Sequence, residues 1–328
     1  MEKIIQEFHN QFRKTALSTS LNTVQGFHIF RDIFNLCSGE LTPEDKMAMW
    51  HMVLKYEKSL EEARAGNIHQ SKYWIDYVND FQYTLPANAE KGLSNLYHAM
   101  FAYYEYVLKR YDSALHNLKE AQMIANSLME NPSFAVIFTV KLEQYLNIVR
   151  VLFSLPDKDA ACREAGKLLL VAITGVSKTE LFVPEHLGYI KLIEPEKVKV
   201  MQHHITDSII MRAGREIRGN EEKERTYYRQ ILADVWAETD WRNCLLENYR
   251  LCITALEHYY AGRSEAFLLD LKLALTDLSD IPKKLQIFVF DKVKSTAREN
   301  NYPAAEELCA DIDEYYNTIL EPCRLQTT

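Results

Sequence analysis

Apolar residues along this chain recur at steps of three and four, the period of one face of an α-helix, and almost nowhere alternate as they would in a strand. The stretch from Leu93 to Leu128 shows it most clearly. Tyr111, Ala114, Leu115, Leu118, Ala121, Gln122 and Ala125 fall on one helical face, and aromatic residues fill the segment before it. The pattern predicts two amphipathic helices folded back on each other around a turn at Lys109-Arg110. The small residues Ala114 and Ala121 mark where the two axes approach closely.

The same device repeats along the chain. Residues 1–17 and 20–37 read as an opening pair, the second with Val24, Phe27, Ile29, Phe30 and Phe34 as its apolar side. Thr42-Pro43-Glu44-Asp45 is a helix start: a hydroxyl cap, proline at the first helical position, then acids in the first turn. That helix runs to about Arg64 and breaks at Ala65-Gly66-Asn67. Its partner, roughly Gln70 to Tyr83, is rich in aromatics: Tyr73, Trp74, Tyr77, Phe81 and Tyr83. Asn131-Pro132 opens a helix to Phe153, and Asp157 another to Thr174. Between Gly175 and Pro195 the regularity fails, leaving one short helix or an extended segment in an irregular connection.

Pairing resumes with helices over about 196–213 and 221–236, separated by Gly214 and Gly219. Asp240 caps a helix to Tyr260, turned at Ala261-Gly262, and Phe267, Leu271, Ala274, Leu275 and Leu278 line the next. Asp280 with Pro282, and then Pro303, open the last two. The expectation is an all-α chain of about 14 helices in stacked antiparallel hairpins. It reads as one body over 1–328, with sub-lobes 1–175 and 196–328 joined by 176–195.

Tyr111-Asp112-x-Ala114, followed by Ala121, resembles the second helix of a tetratricopeptide repeat, with Phe101-Ala102 in the places of that family's large and small residues. A second match runs from Leu251 to Ala274, with Gly262 at the turn. The departures are Lys109 where a turn glycine is usual, a closing proline delayed to Pro132, and Phe267 where alanine is expected. Pair starts near 43, 88 and 132 are also about 44 residues apart, longer than the family's repeat of about 34. The resemblance implies a right-handed α-solenoid and a scaffold, adaptor or peptide sensor without catalysis. In its register Tyr103, Tyr106, Tyr249, Tyr259 and Tyr260 line a concave peptide-binding groove. The competing reading of these rings is packing between helices.

Composition changes the picture in three ways. Only 10 glycines and 9 prolines among 328 residues, with 47% hydrophobic residues, fit long helices around a sizeable core. A net charge of −8 argues against general nucleic-acid or anionic-membrane binding. The six cysteines are scattered without CxxC spacing, which points to free buried thiols in a cytoplasmic protein. No apolar run approaches the roughly 18 residues that a membrane span requires.

Candidate chemistry is sparse. The sequence lacks HExxH, ExxH, GxSxG, the phosphate-binding GxxxxGK and GxGxxG, so neither metal nor cofactor is expected. His203-His204, with Asp207 one turn on, is the one histidine cluster. An enzyme or enzyme accessory with a helical pocket near 175–215, using His186, His203 or His204, is the alternative reading. A single-partner inhibitor, such as a toxin-neutralising protein, is a third. Arg212, Arg215 and Arg218, with Lys223, form a candidate anion site, although acids follow at once and favour a solvated face. The favoured partner is a protein or peptide, with the oligomeric state left open.

Overall fold

The computed structural model describes residues 1–16, 29–81, 83–217, 219–238 and 247–320. Among them the chain is all-helical, with fourteen α-helices, four short 3-10 or π turns and no strand. No helix of the described residues is long and apolar enough to cross a membrane. Chain contacts divide into two units. One is nested in the sequence and takes residues 27–161 and 175–194; the other takes 1–26, 162–174 and 195–328. This division differs from the sequence-based lobes, since 175–194 belongs with the helices before it and the N-terminal helix with those at the far end.

The nested unit begins with the second helix of the chain. In chain numbering α1 is Glu2–Ala16 and α2 is Ile29–Cys37; α3 (Pro43–Arg64), α4 (Ile68–Asn79), α5 (Ala87–Val107), α6 (Tyr111–Leu128) and α7 (Ile137–Leu152) follow. The Thr42 hydroxyl accepts from Asp45 N at 3.1 Å and Pro43 is the first helical residue, as the sequence predicts. Helix α3 packs on both α4 and α5, α5 on α6, and α6 on α7. Ala114, Ala121 and Ala125 are fully buried where α6 meets its neighbours. Polar rungs cross this core. Asn95 Nδ2 donates to Ala121 O (2.7 Å), Gln144 Nε2 to Asn95 Oδ1 (2.8 Å) and Gln122 Nε2 to Lys141 O (2.7 Å). Asn131 caps only a 3-10 turn over Pro132–Phe134, so α7 begins later than the sequence suggests.

The irregular stretch folds as a 3-10 segment over Pro184–Leu192 packed on α7. Phe182 sits between Phe138 (5.5 Å) and Tyr145 (5.9 Å), and Tyr189 donates to Met129 O at 3.0 Å.

The other unit contains α1, most of α8 (Lys158–Thr174), α9 (Pro195–Ile217), α10 (Glu221–Ala237), α11 (Glu247–Tyr260), α12 (Ser264–Ala274), α13 (Lys283–Glu299) and α14 (Ala305–Tyr315). A side chain at Gly166 of α8 would meet Ile231 O of α10 at 2.7 Å, so glycine permits this approach. The expected opening pair of helices is split between the two units. Helix α1 packs on α12 and α14, while α2 packs on α3 and α5. The apolar face of α1 fixes the choice: Phe12 lies 5.1 Å from Phe290 and 5.7 Å from Tyr315. His9 Nε2 reaches Asp311 Oδ2 (2.7 Å), Thr15 donates to Leu275 O (2.7 Å) and Lys272 pairs with Glu7 (2.6 Å). Val24 and Phe27, assigned to the opening pair, and Asp240, assigned as a cap, lie outside the described residues.

One turn closes four of the hairpins. Gly66 (φ 82°), Lys109 (φ 61°), Gly262 (φ 74°) and Asn301 (φ 52°) each hold the left-handed conformation one residue past the helix cap. The next amide reaches back across five residues in every case. Asn67 N donates to Glu62 O, Arg110 N to Glu105 O, Arg263 N to His258 O and Tyr302 N to Ala297 O, at 2.8–3.0 Å. This is the Schellman end, which satisfies carbonyls that the finished helix leaves open.

Candidate functional site

The five tyrosines predicted to line a groove are not equivalent. Tyr249 is 0% exposed and its hydroxyl bonds Thr206 Oγ1 of α9, so it is a core residue and not a groove wall. Tyr260 is also buried, with its hydroxyl directed to Glu224 Oε1 at 3.3 Å; burial pushes its phenol far above the usual range. Tyr259 is half-buried against Phe267 (5.3 Å), with Lys292 Nζ 5.7 Å from its ring centre. Tyr103 and Tyr106, in the nested unit, are half-exposed and 6.1 Å apart. Arg64 lies 5.8 Å over Tyr103, and Tyr106 OH meets Ser154 Oγ at 3.2 Å.

The histidine reading divides between the units. His186 belongs to the nested unit, His203 and His204 to the other. His203 Nε2 lies 3.0 Å from Asp280 O, and burial pushes its imidazole down to about 4. Asp207 Oδ1 accepts from Lys284 N at 2.8 Å. Pro282 supplies no capping side chain to α13, and the Asp207 carboxyl of α9 serves instead. Burial nevertheless pushes that carboxyl up to about 6. These groups are spent on backbone atoms at the start of α13 and hold two helices together. Of the arginine cluster, Arg212 is half-buried, Arg215 exposed, and Arg218 outside the described residues. Among the described residues no three His, Cys, Asp or Glu side chains converge as metal ligands. Cys37, Cys162, Cys252 and Cys309 are free and buried, and burial raises the Cys37 thiol to about 11.

A buried amine escaped the sequence reading. Lys141 of α7 is 0% exposed, and burial lowers its amine to about 7. It donates to Asn126 Oδ1 and to Leu181 O (2.6 Å), and lies 4.5 Å over the Phe182 ring. A lowered lysine suits amine chemistry in an accessible cleft. Sealed in the core, Lys141 instead pins the 175–194 segment to α7.

The exposed chemistry lies on α3 and α4. Helix α4 turns Ser71, Ile75 and Val78 inward, and its opposite side carries Tyr73, Asp76, Tyr77, Asp80 and then Phe81 just past its end. That spacing is normally a packing stripe, yet Tyr73 is 53% and Tyr77 37% exposed. The rings touch in sequence. Tyr73 lies 4.9 Å from Trp74 and 6.4 Å from Tyr77, His51 lies 5.7 Å from Tyr77 and 5.6 Å from Phe81, and Phe81 stacks 6.3 Å from Tyr83. The outward face of α3 adds exposed Met47, Trp50 and Leu54. Asp45 accepts from Tyr83 OH at 2.9 Å, and the Thr42 and Tyr83 hydroxyls hold its carboxyl below the usual range. The sequence showed this aromatic run but not which way it faces. Compared with family models, curated proteins and solved structures, the chain matches none.

Proposed function

We propose that this chain is a non-catalytic, polypeptide-binding helical-repeat protein whose capture surface is the aromatic face of α3 and α4. One observation carries the reading. Among the described residues, six of the eleven large hydrophobic side chains exposed to solvent lie between Met47 and Tyr83, three on α3 and three on or after α4. Large apolar side chains left in water and concentrated on one helix pair are costly, and such surface is the usual mark of a protein contact. Tyrosine and tryptophan are the side chains enriched at such contacts, since they bring large area with little rotamer freedom to lose.

Tetratricopeptide-like stacking is the architecture proposed for the α3–α7 run. The shared turn at Gly66 and Lys109, with α3 against α5 and α6 against α7, supports it. Tyr249 and Tyr260 are buried and take no part in this surface; Tyr103 and Tyr106 form a secondary surface on α5.

The test is partner capture from the native host's lysate by immobilised protein. Combined substitution of Trp50, Tyr73 and Tyr77 by alanine is expected to abolish capture of the wild type's specific partner while helicity by circular dichroism is unchanged. Full retention of that partner overturns this surface. Loss on Tyr103→Ala with Tyr106→Ala instead moves the site to α5.

A further inference from the structure

Tyr73, Asp76, Tyr77, Asp80 and Phe81 line an open depression of about 340 Å³ on the outer side of α4. Its lining is three aromatic residues and two carboxylates, with no basic residue. Resting on the capture surface proposed above, we infer that this depression receives an arginine side chain of a basic polypeptide segment, the guanidinium lying on the rings and facing Asp80. Negative ring faces attract a cation, and a delocalised planar one stacks flat while its edge donates to a carboxylate.

Two features of the same cluster support a cation. Lys55 Nζ already sits 4.5 Å over Trp74 and 5.8 Å from the Tyr77 ring centre, so these aromatics hold a positive charge within the chain itself. The carboxylates differ in how far they are spent. Asp76 is bonded by Lys72 at 2.6 and 2.8 Å, whereas Asp80 is exposed and its side chain enters no hydrogen bond or ion pair among the described residues. Asp80 therefore supplies the unspent charge.

Competing occupants fit less well. A hard dication requires six or more oxygens and gains little from ring faces. A small organic cation favours an enclosed pocket, while this depression is open. Trp50 and Leu54, exposed on the partner helix α3, suit the apolar side chains that flank an arginine in a peptide. The net charge of −8 adds long-range attraction for a basic segment.

Fluorescence anisotropy with a labelled Gly-Arg-Gly-Arg-Gly peptide and the full chain tests this. Saturable binding is expected, weakened about tenfold by Tyr73→Ala with Tyr77→Ala and about threefold by Asp80→Asn. The lysine version of the peptide should bind more weakly. Glu306→Gln, an exposed acid of α14, should change nothing. Equal loss from Glu306→Gln, equal affinity for the lysine peptide, or indifference to Asp80→Asn overturns the arginine assignment. So does a wild-type dimer, seen by light scattering, that Tyr73→Ala with Tyr77→Ala splits, because the occupant is then a second copy. If those ring substitutions abolish partner capture while Asp80→Asn leaves the peptide titration unchanged, the surface stands and only the arginine falls. If the ring substitutions affect neither assay, both fall.

Discussion

The hairpins α3–α4 and α11–α12 are built alike and covered differently. Each closes on an Ala-Gly turn with glycine left-handed, at Gly66 and Gly262, and each is rich in tyrosine. In α3–α4 the rings of Tyr73 and Tyr77 face water; in α11–α12 Tyr249 and Tyr260 are core. Neighbours account for the difference. Helix α11 is covered by α10, α12 and α13, so a ring on almost any side of it meets protein. Among the described residues α4 packs chiefly on α3 and more lightly on α5, and its far side has no cover. The same side chain is core packing in one place and faces solvent in the other.

The sharpest way to break that contrast is truncation of the rings. Tyr249→Ala removes a fully buried ring and leaves Thr206 without its hydroxyl partner, and should cost about 3–5 kcal/mol. Tyr73→Ala removes a larger exposed area but leaves no cavity, and should change stability by less than about 0.5 kcal/mol. Urea unfolding followed by circular dichroism compares them. Similar losses in both variants would mean that α4 is covered in the folded chain.

Asp207, one residue from the Thr206 that receives Tyr249, extends the contrast from rings to charge. Burial raises its carboxyl to about 6, against about 3.9 in an unfolded chain. Between those values the folded chain holds a proton that the unfolded chain has released, so this group's contribution to stability falls as pH rises through that window. Asp207→Asn stays neutral and keeps an acceptor for Lys284 N. It should match the wild type near pH 4 and become progressively more stable than it up to pH 7. A stability difference that is flat across this range would show that the carboxyl is not held in a water-poor site.

Much of the fold was readable because helix ends are local chemistry. Thr42-Pro43 and Ala261-Gly262 specify a start and a stop through groups within a few residues, and both fall where expected. The partner of α1 was not readable. Ile5, Phe8 and Phe12 announce a face to be buried but do not say against what, and the answer lies some 260 to 300 residues away, at Leu275 just past α12 and Asp311 in α14. The sidedness of the tyrosines failed for the same reason: i, i+4 spacing places Tyr73 and Tyr77 on one face without saying whether anything covers it. Lys141 carried a faint signal, standing in the otherwise apolar run Val136–Leu142 with only Thr139 for polar company. A charge inside such a run is a candidate for burial.

The smallest effect concerns the turns and sets the hairpins α5–α6 and α11–α12 side by side. Lys109 closes α5–α6 at φ 61° where Gly262 closes α11–α12 at φ 74°. A side chain in the left-handed region costs roughly 1–2 kcal/mol, while glycine gives back about 0.5–1 kcal/mol through the freedom of the unfolded chain. Gly262→Lys should therefore destabilise by about 0.5–1 kcal/mol, and Lys109→Gly should stabilise by about 0.5 kcal/mol. Lys109 is exposed and its amide, not its side chain, makes the turn's bond to Tyr106 O (2.9 Å), so the exchange leaves the hairpin's hydrogen bonds intact. Urea midpoints with unchanged slopes would report the two shifts cleanly. Opposite signs are required if the two turns are the same device filled by different residues; a loss of stability in Lys109→Gly would mean that the lysine side chain supports α5–α6 in some way that the glycine of α11–α12 has no need of.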